Sequence, residues 1–329
     1  MSKIIIVGAG HVGTALAHSL IVRGLGDEIG IIDLREEKLY GEVLDLQHSL
    51  PHTANPEQKV FAANYQDTKD ADIIVVALES QKAQFGDTAD RLNLLTINKE
   101  ESVKVAQQAK DAGFNGIYIV ITNPVDIISR IIQEVSGLPT NQVFGTGTLL
   151  ETARLKSILS GKFNVPINSV DGYVLGEHGH SAFGAWSTVT IDGQEITKTN
   201  PNLDWEELDQ EIIQAAYEVY YSKKETSYGI ANVAARLIWA VLNDEGVTLP
   251  VSAYLNGEYG LKDIYIGVLA TIGKNGVQKV WQLPLLDKEQ NKLEISAQVL
   301  QRHYENAKGA SNNEQNIQSK SISTGEYSS

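Results

Sequence analysis

"KIIIVGAGHVG", residues 3–13, decides how the rest of this chain is read. The β-branched run before the first glycine predicts a buried strand. "HVGTALAHSLIVRGL" then takes helical spacing, with Val12, Leu16, Leu20 and Val22 predicted to face inward. Gly8, Gly10 and Gly13 make the pattern GxGxxG. Alone the pattern says little, because glycine-rich turns are common. Here it follows a strand, opens a helix, and precedes an acid, Asp33, by about twenty residues. In that setting Gly8 permits the tight turn, Gly10 lets a pyrophosphate approach the backbone, and Gly13 lets the helix pack on the sheet. The free N–H groups and partial positive charge of the helix start suit phosphate. Asp33 ends the next strand, "EIGIIDL", where its carboxylate can accept hydrogen bonds from an adenosine ribose. The same charge repels a 2′-phosphate, so NAD is expected over NADP, although Arg35 nearby keeps NADP open. The plain alternative is a structural turn with a strand-end acid.

The pattern outward from this stretch repeats the alternation. "KVFAAN", "ADIIVVAL", "GIYIVIT" and "QVFGTG" read as strands. "EEKLYGEVLDLQHSL", Arg91 to Ala112 and "NPVDIISRIIQEVSG" read as helices. Glu79 to Asp90 reads as a loop. Strands alternating with helices predict an α/β fold with a doubly wound parallel sheet of the Rossmann type. After about residue 148 the pattern changes to a helix, then short strands and loops. A long helical stretch, possibly broken, runs from Asp204 to Asn243, and alternating strands follow. "GKNG" signals a hairpin and so antiparallel pairing. The expected division is 1–147 for the dinucleotide, 148–308 for an α+β substrate and catalytic domain, and 309–329 as a polar, disordered tail.

Composition narrows the function classes. At 329 residues the chain suits about two domains, and its 42% hydrophobic and 21% charged residues are those of an ordinary globular protein. A formal net charge of −14 argues against nucleic acid or an anionic membrane as the main partner. There is no cysteine, hence no disulfide, thiolate metal site or thiol nucleophile. No apolar run approaches ~20 residues, and "MSKIIIVGAG" does not read as a signal peptide, so a cytoplasmic protein is expected.

Polar residues past the strand ends are the candidates for chemistry, because ligands of such sheets sit beyond the carboxyl ends of the strands. Asn123 in "ITNPVD" follows one strand, and binding or helix capping explains it equally well. Arg91 follows the loop. Glu151 and Arg154 share one helix three residues apart, which by itself reads as an ion pair. His178 in "GEHGHS" is either a turn residue or an acid–base group. His11, His18, His48, His52 and His303 read as structural or solvated, without partners. No metal-ligand spacing appears, and no metal is expected.

The motifs "GAGHVG", "IID", "ITNPVD", "GTGTLLETARLK" and "GEHGHSAFGAWS", in this order and spacing, resemble the L-lactate/malate dehydrogenase family over roughly residues 3–305. "GEHG" with its Trp-Ser pair and "TSYGIA" are similar to the lactate side, nearest the branch that includes L-2-hydroxyisocaproate dehydrogenase. The resemblance implies hydride transfer between NADH and a 2-oxo acid. It implies that His178 is the proton donor and acceptor, with Glu151 as its partner. It gives Arg154 the substrate carboxylate and Arg91 the reacting carbonyl. Asn123 would contact substrate and nicotinamide, and Thr226 and Ile230 would line the pocket near them. Gly8, Gly10, Val12, Gly13 and Asp33 would hold the dinucleotide. It also implies a homodimer or homotetramer.

Three positions depart from the family's pattern. Glu151 stands where Asp is usual, so its carboxylate must fold back or push the imidazole. His180 replaces an Asp or Asn and is given no catalytic role. The loop "LESQKAQFGDTADR" is long and lacks the usual Arg-Gln start, so branched or aromatic 2-oxo acids are expected ahead of pyruvate. Pyruvate as main substrate is the first alternative. Malate is less favoured because only Lys82 could meet a second carboxylate. Lys156 and Asp171 occupy the positions through which some relatives bind a sugar bisphosphate, and the acid argues against that activation. A non-catalytic NAD(H)-binding protein is the competing class. An NAD-using glycosidase would need a cysteine.

Overall fold

The computed structural model describes residues 1–78 and 91–323, with the side chains at 91–94, 96 and 309–323 left out. The first half runs β1 (Lys3–Val7), α1 (His11–Arg23), β2 (Glu28–Ile32), α2 (Glu36–Ser49), β3 (Lys59–Ala62), β4 (Ile73–Val76), α3 (Arg91–Ala112), β5 (Ile117–Val120), α4 (Val125–Ser136) and β6 (Val143–Gly145). The second half begins with α5 (Leu149–Phe163) and five two-residue strands, β7 (Val170–Asp171), β8 (Val174–Leu175), β9 (Phe183–Gly184), β10 (Thr190–Ile191) and β11 (Gln194–Glu195). It continues through α6 (Ile196–Thr199), α7 (Trp205–Lys223), α8 (Tyr228–Leu242), β12 (Val247–Asn256), β13 (Lys262–Gly273), β14 (Gly276–Val280) and α9 (Asp287–Ser323).

β1, β4 and β5 are almost wholly Ile and Val and are buried on both faces, as a parallel sheet covered by helices requires. The strand order is β3-β2-β1-β4-β5-β6, all parallel, which places a switch point between β1 and β4. The second half forms the expected antiparallel strands, in two small sheets, β7-β10-β11 and β8-β9, and in a longer set that joins the parallel sheet. β12 joins the edge of β6 through Ser252 and Gly145, and β13 and β14 follow, giving one nine-stranded sheet. Gly145 and Gly147 make this join sterically feasible, because a Cβ on Gly147 would sit 2.2 Å from the Ser252 nitrogen. A second, smaller core of Leu155, Leu159, Val174, Trp186, Leu208 and Ile212 lies between α5, α7 and the short strands.

One local expectation changes, and two helical stretches gain definite bounds. Val22 is 54% exposed while Ile21 is fully buried. Residues 16, 20, 13, 17 and 21 fall on one arc of the α1 helix at 100° per residue, and residue 22 lies off it. α7 and α8 are separate helices, broken at Lys224, whose positive φ of 66° ends the first. α9 carries its helical backbone on to Ser323, through most of the stretch expected to be disordered. That stretch lacks proline, and a helix already anchored by packing propagates through local hydrogen bonds alone.

Candidate active site

The dinucleotide loop is built by close backbone approach. Gly8 takes φ +113°, and a Cβ there would meet the Ala77 carbonyl oxygen at 2.5 Å. A Cβ on Gly13 would sit 1.9 Å from the Gly8 carbonyl oxygen, so α1 can cross β1 only as glycine. A Cβ on Gly10 would meet nothing within 4 Å: the side of the loop facing the helix start is open space. Gly10 caps α1 without a side-chain bond, which leaves the first N–H groups for a ligand. Val12 is half-buried against the core beside them. These features fit a pyrophosphate.

Asp33 follows β2 and is nearly buried. Its Oδ2 accepts the Ala9 N–H at 2.7 Å, and its two oxygens accept Arg35 Nε and Nη2 at 2.8 Å each. Burial works to raise its pKa, but the hydrogen bonds from Arg35 and Ala9 outweigh it and hold the carboxyl at about 2.

The second cluster draws on three segments. α5 supplies Glu151 and Arg154 from successive turns. The 176–181 loop supplies His178, and α4 supplies Asp126 from beneath. Glu151 Oε1 lies 3.0 Å from His178 Nδ1 and 3.0 Å from Arg154 Nη1. The sequence's question about the longer Glu151 therefore has a geometric answer. The carboxylate reaches the imidazole, but off the ring N–H direction, and neither Nδ1 nor Glu151 Oε2 has an aligned hydrogen-bond partner. The contact is an ion pair more than an orienting hydrogen bond. It still acts on the proton: burial works to lower the His178 pKa, but the facing Glu151 carboxylate, by its charge and its close contact with Nδ1, together with a smaller contribution from Asp126, outweighs it and holds the pKa above its usual value. Burial likewise opposes Glu151 ionisation, and the facing imidazole and Arg154 hold it below its usual range.

Asp126 was missed by sequence reasoning. Its Oδ2 accepts the His178 backbone N–H at 3.0 Å. Burial pushes its carboxyl up to about 6, against the Ser252 hydroxyl and that N–H. The available signal was an acid within the apolar stripe Val125, Ile127, Ile128, Ile131, Ile132, since an acid at such a position rarely goes in unpaired. α9 supports the same loop and the turn after β9 from outside: Ser296 Oγ accepts the Glu177 N–H at 2.6 Å, and Glu289 accepts the Ser187 N–H at 2.8 Å.

Other expected residues fall as follows. Asn123 is exposed just past β5, and its carbonyl accepts from Asn98 at 2.8 Å. It does not cap α4: Pro124 stands at the cap with no side-chain bond. Thr226 lies half-buried in the turn between α7 and α8, and Ile230 is buried on α8. The start of α8 leans on α5, where a Cβ on Gly229 would meet Leu150 Cδ1 at 3.1 Å. Arg91 opens α3, but its side chain lies outside the described residues, as does the whole loop 79–90 with Lys82. His11, expected to lack a partner, pairs through Nδ1 with Glu225 at 2.6 Å. His180 bonds the Tyr217 hydroxyl at 2.9 Å. Lys156 is engaged by Asp171 at 3.4 Å.

Comparison with known proteins identifies the family to which this fold belongs. The model of the lactate/malate dehydrogenase NAD-binding domain matches residues 2–145, and that of the family's alpha/beta C-terminal domain matches residues 148–310. The chain belongs to the lactate/malate dehydrogenase family, oxidoreductases that act on CH–OH with NAD as acceptor. Among its relatives, the L-lactate dehydrogenase of Lacticaseibacillus casei is 39% identical over 306 residues, covering 91% of this chain and 92% of that one. L-lactate dehydrogenase 1 of Enterococcus faecalis is 40% identical over 311 residues, covering 93% and 94%. The ligands-bound crystal structure of the minor L-lactate dehydrogenase from Enterococcus mundtii superposes with a TM-score of 0.88 at 35% identity, covering 93% of this chain and 98% of that one. Among the described residues no helix is long and apolar enough to cross a membrane.

Proposed function

We propose that the protein is a cytoplasmic L-2-hydroxy acid dehydrogenase of the L-lactate type that interconverts a small 2-oxo acid and its L-2-hydroxy acid. The observation that carries this reading is the shared Glu151 oxygen, 3.0 Å from both the His178 ring and the Arg154 guanidinium. NAD, when bound, supplies or accepts the hydride. His178 engages Glu151 through Nδ1, which leaves Nε2 as the atom that gives or takes the substrate's proton. Arg154 spends one N–H on Glu151 and keeps the rest of its fork for the substrate carboxylate. Negative charge that develops on the carbonyl oxygen during reduction is met by the protonated imidazole, with Arg91 assigned to the same oxygen. Asn123, Thr226 and Ile230 bound the space between substrate and nicotinamide. Residues 1–147 serve the dinucleotide, residues 148–308 serve the substrate, and the active form is a homodimer or homotetramer.

The printed names of the relatives point to pyruvate as the 2-oxo acid. The preference for branched or aromatic substrates rested on the loop 79–90, which lies outside the described residues, and no described feature favours it. Oxidation of NADH on a panel of 2-oxo acids tests the reading. Turnover with pyruvate or a related 2-oxo acid is expected. A kcat/KM for 2-oxo-isocaproate well above that for pyruvate would restore the isocaproate type, and no turnover with any member would refute catalysis.

A further inference from the structure

Three consecutive residues of the 176–181 loop are each held by a different element. Gly176 exchanges backbone hydrogen bonds with Gly267 of β13, at 3.0 and 2.9 Å. The Glu177 N–H goes to Ser296 Oγ of α9 at 2.6 Å. The His178 N–H goes to Asp126 of α4 at 3.0 Å. The α9 contact is more than a single bond. Ser181 Oγ donates to Glu177 Oε2 at 2.6 Å, and the Ser181 and Ser296 hydroxyls lie 2.9 Å apart. A serine hydroxyl has one proton to give, and Ser181 spends its own on the carboxylate. Ser296 therefore donates to Ser181. The bonds close a ring with one direction: Glu177 N–H to Ser296, Ser296 to Ser181, and Ser181 back to the Glu177 carboxylate. Ser296 is fully buried and Glu177 nearly so. Gly176, at φ +97°, permits the close approach, because a Cβ there would meet Ser296 Oγ at 2.8 Å.

We propose that this hydrogen-bond ring positions the His178 imidazole against Glu151, which makes Ser296 a positioning residue for the reaction. The need arises from Glu151. Its carboxylate meets Nδ1 at 3.0 Å but off the N–H direction, so it attracts the imidazole without orienting it. The place of the imidazole is then set by the backbone that carries it. That backbone is pinned by Asp126 on one side and by the Glu177 peptide on the other. Within the buried ring each member satisfies the next. Loss of Ser296 Oγ strands the Glu177 N–H, and the loop must shift to recover a partner. The charged groups facing the imidazole are Glu151 and Arg154 of α5 and Asp126 of α4, with Glu177 and His180 beside it in the loop. Ser296 is uncharged, so its loss changes the field at His178 only by moving the loop.

The inference rests on the reading of His178 as the acid–base group, and its test includes a readout that needs no turnover. The full-length protein is compared with its Ser296→Ala, Ser181→Ala and doubly substituted forms. The His178 imidazole is titrated by NMR, its signal assigned through His178→Gln. In parallel, kcat for pyruvate reduction with NADH is followed over pH. In Ser296→Ala the His178 midpoint should fall by about half a pH unit or more, because a loosened loop lengthens the contact with Glu151. The decline of kcat with rising pH should move down with it, and the maximal kcat should drop about tenfold. Ser181→Ala keeps the Glu177 N–H bond to Ser296 and should show smaller changes in the same direction. It carries the test if Ser296→Ala does not fold. The double form should lose less than the product of the two single losses, since either substitution opens the same ring. NADH affinity should be unchanged throughout. The proposal is overturned if the His178 midpoint is unmoved in every folded variant, if kcat falls with an unchanged pH profile, or if the single losses multiply. A protein inert toward every 2-oxo acid would refute the proposed function, and the NMR titration would still decide the positioning role.

Discussion

The loop from Gly8 to Gly13 and the cluster around His178, which the proposed function joins in one reaction, are built in opposite ways. The loop is local. Its three glycines lie within six residues, and what they do is fixed by backbone contacts between neighbouring elements: φ +113° at Gly8, and 1.9 Å between a Cβ on Gly13 and the Gly8 oxygen. The cluster is assembled from α4, α5 and the 176–181 loop, and its chemistry depends on where side-chain atoms meet. Backbone-defined function tolerates almost no added volume. A side-chain-defined cluster can absorb a methylene, as the 3.0 Å contact of Glu151 with His178 shows, but gives up alignment.

Breaking each region should separate the two kinds of failure. The largest effect is expected from His178→Gln, which removes the proposed acid–base group and should lower kcat for 2-oxo acid reduction about a thousandfold. NADH affinity, measured by fluorescence, should stay unchanged; a parallel loss would mean that the two regions are not independent. Gly13→Val should show the converse, costing about 3 kcal/mol of stability in urea unfolding because α1 must lift off β1. A stable Gly13→Val protein with normal NADH binding would break the claim that backbone contact defines the loop.

Smaller effects sharpen the comparison through charge. Folded Asp126 keeps its proton up to about pH 6, whereas an unfolded aspartic acid loses it near about 4. Its contribution to stability is therefore complete below the lower value and is lost as pH rises through the upper one. Asp126→Asn keeps an acceptor for the His178 N–H and removes that loss. It should raise stability above pH 6 by about 3 kcal/mol and match the unaltered protein in strong acid. Equal curves at all pH would show that the buried carboxyl does not titrate as argued. Glu151→Gln should give the smallest change, about tenfold in kcat, with a diagnostic direction. Reduction needs a protonated His178, and Glu151 holds that pKa up. Without it, the fall in reduction rate with rising pH should begin at lower pH.

The two regions were unequally legible. GxGxxG, the strand before it and Asp33 are a contiguous pattern, because a pyrophosphate is held by consecutive N–H groups. Arg154, His178 and Glu151 could be nominated only through the family's motif order, since nothing in their spacing brings residues 151 and 178 together. Asp126, Ser296 and the His11–Glu225 pair escaped notice because their partners lie 52, 119 and 214 positions away. Val22 was misassigned for a smaller reason, a phase error of one residue on a helix where Ile21 and Val22 are equally apolar.

By itself the sequence determined the alternation of elements, the parallel sheet, the glycine turn and the acid that follows it. Those features depend on hydrophobic period and backbone permissiveness, which neighbouring residues carry. Tertiary structure alone decided that β12 would extend β6 into one sheet, that Glu151 would touch its imidazole at 3.0 Å without aligning to it, and that Glu177, Ser181 and Ser296 would close one hydrogen-bond ring. Hydrogen-bond direction and lone-pair occupancy are set by atomic positions to a fraction of an ångström, and residue order does not carry them.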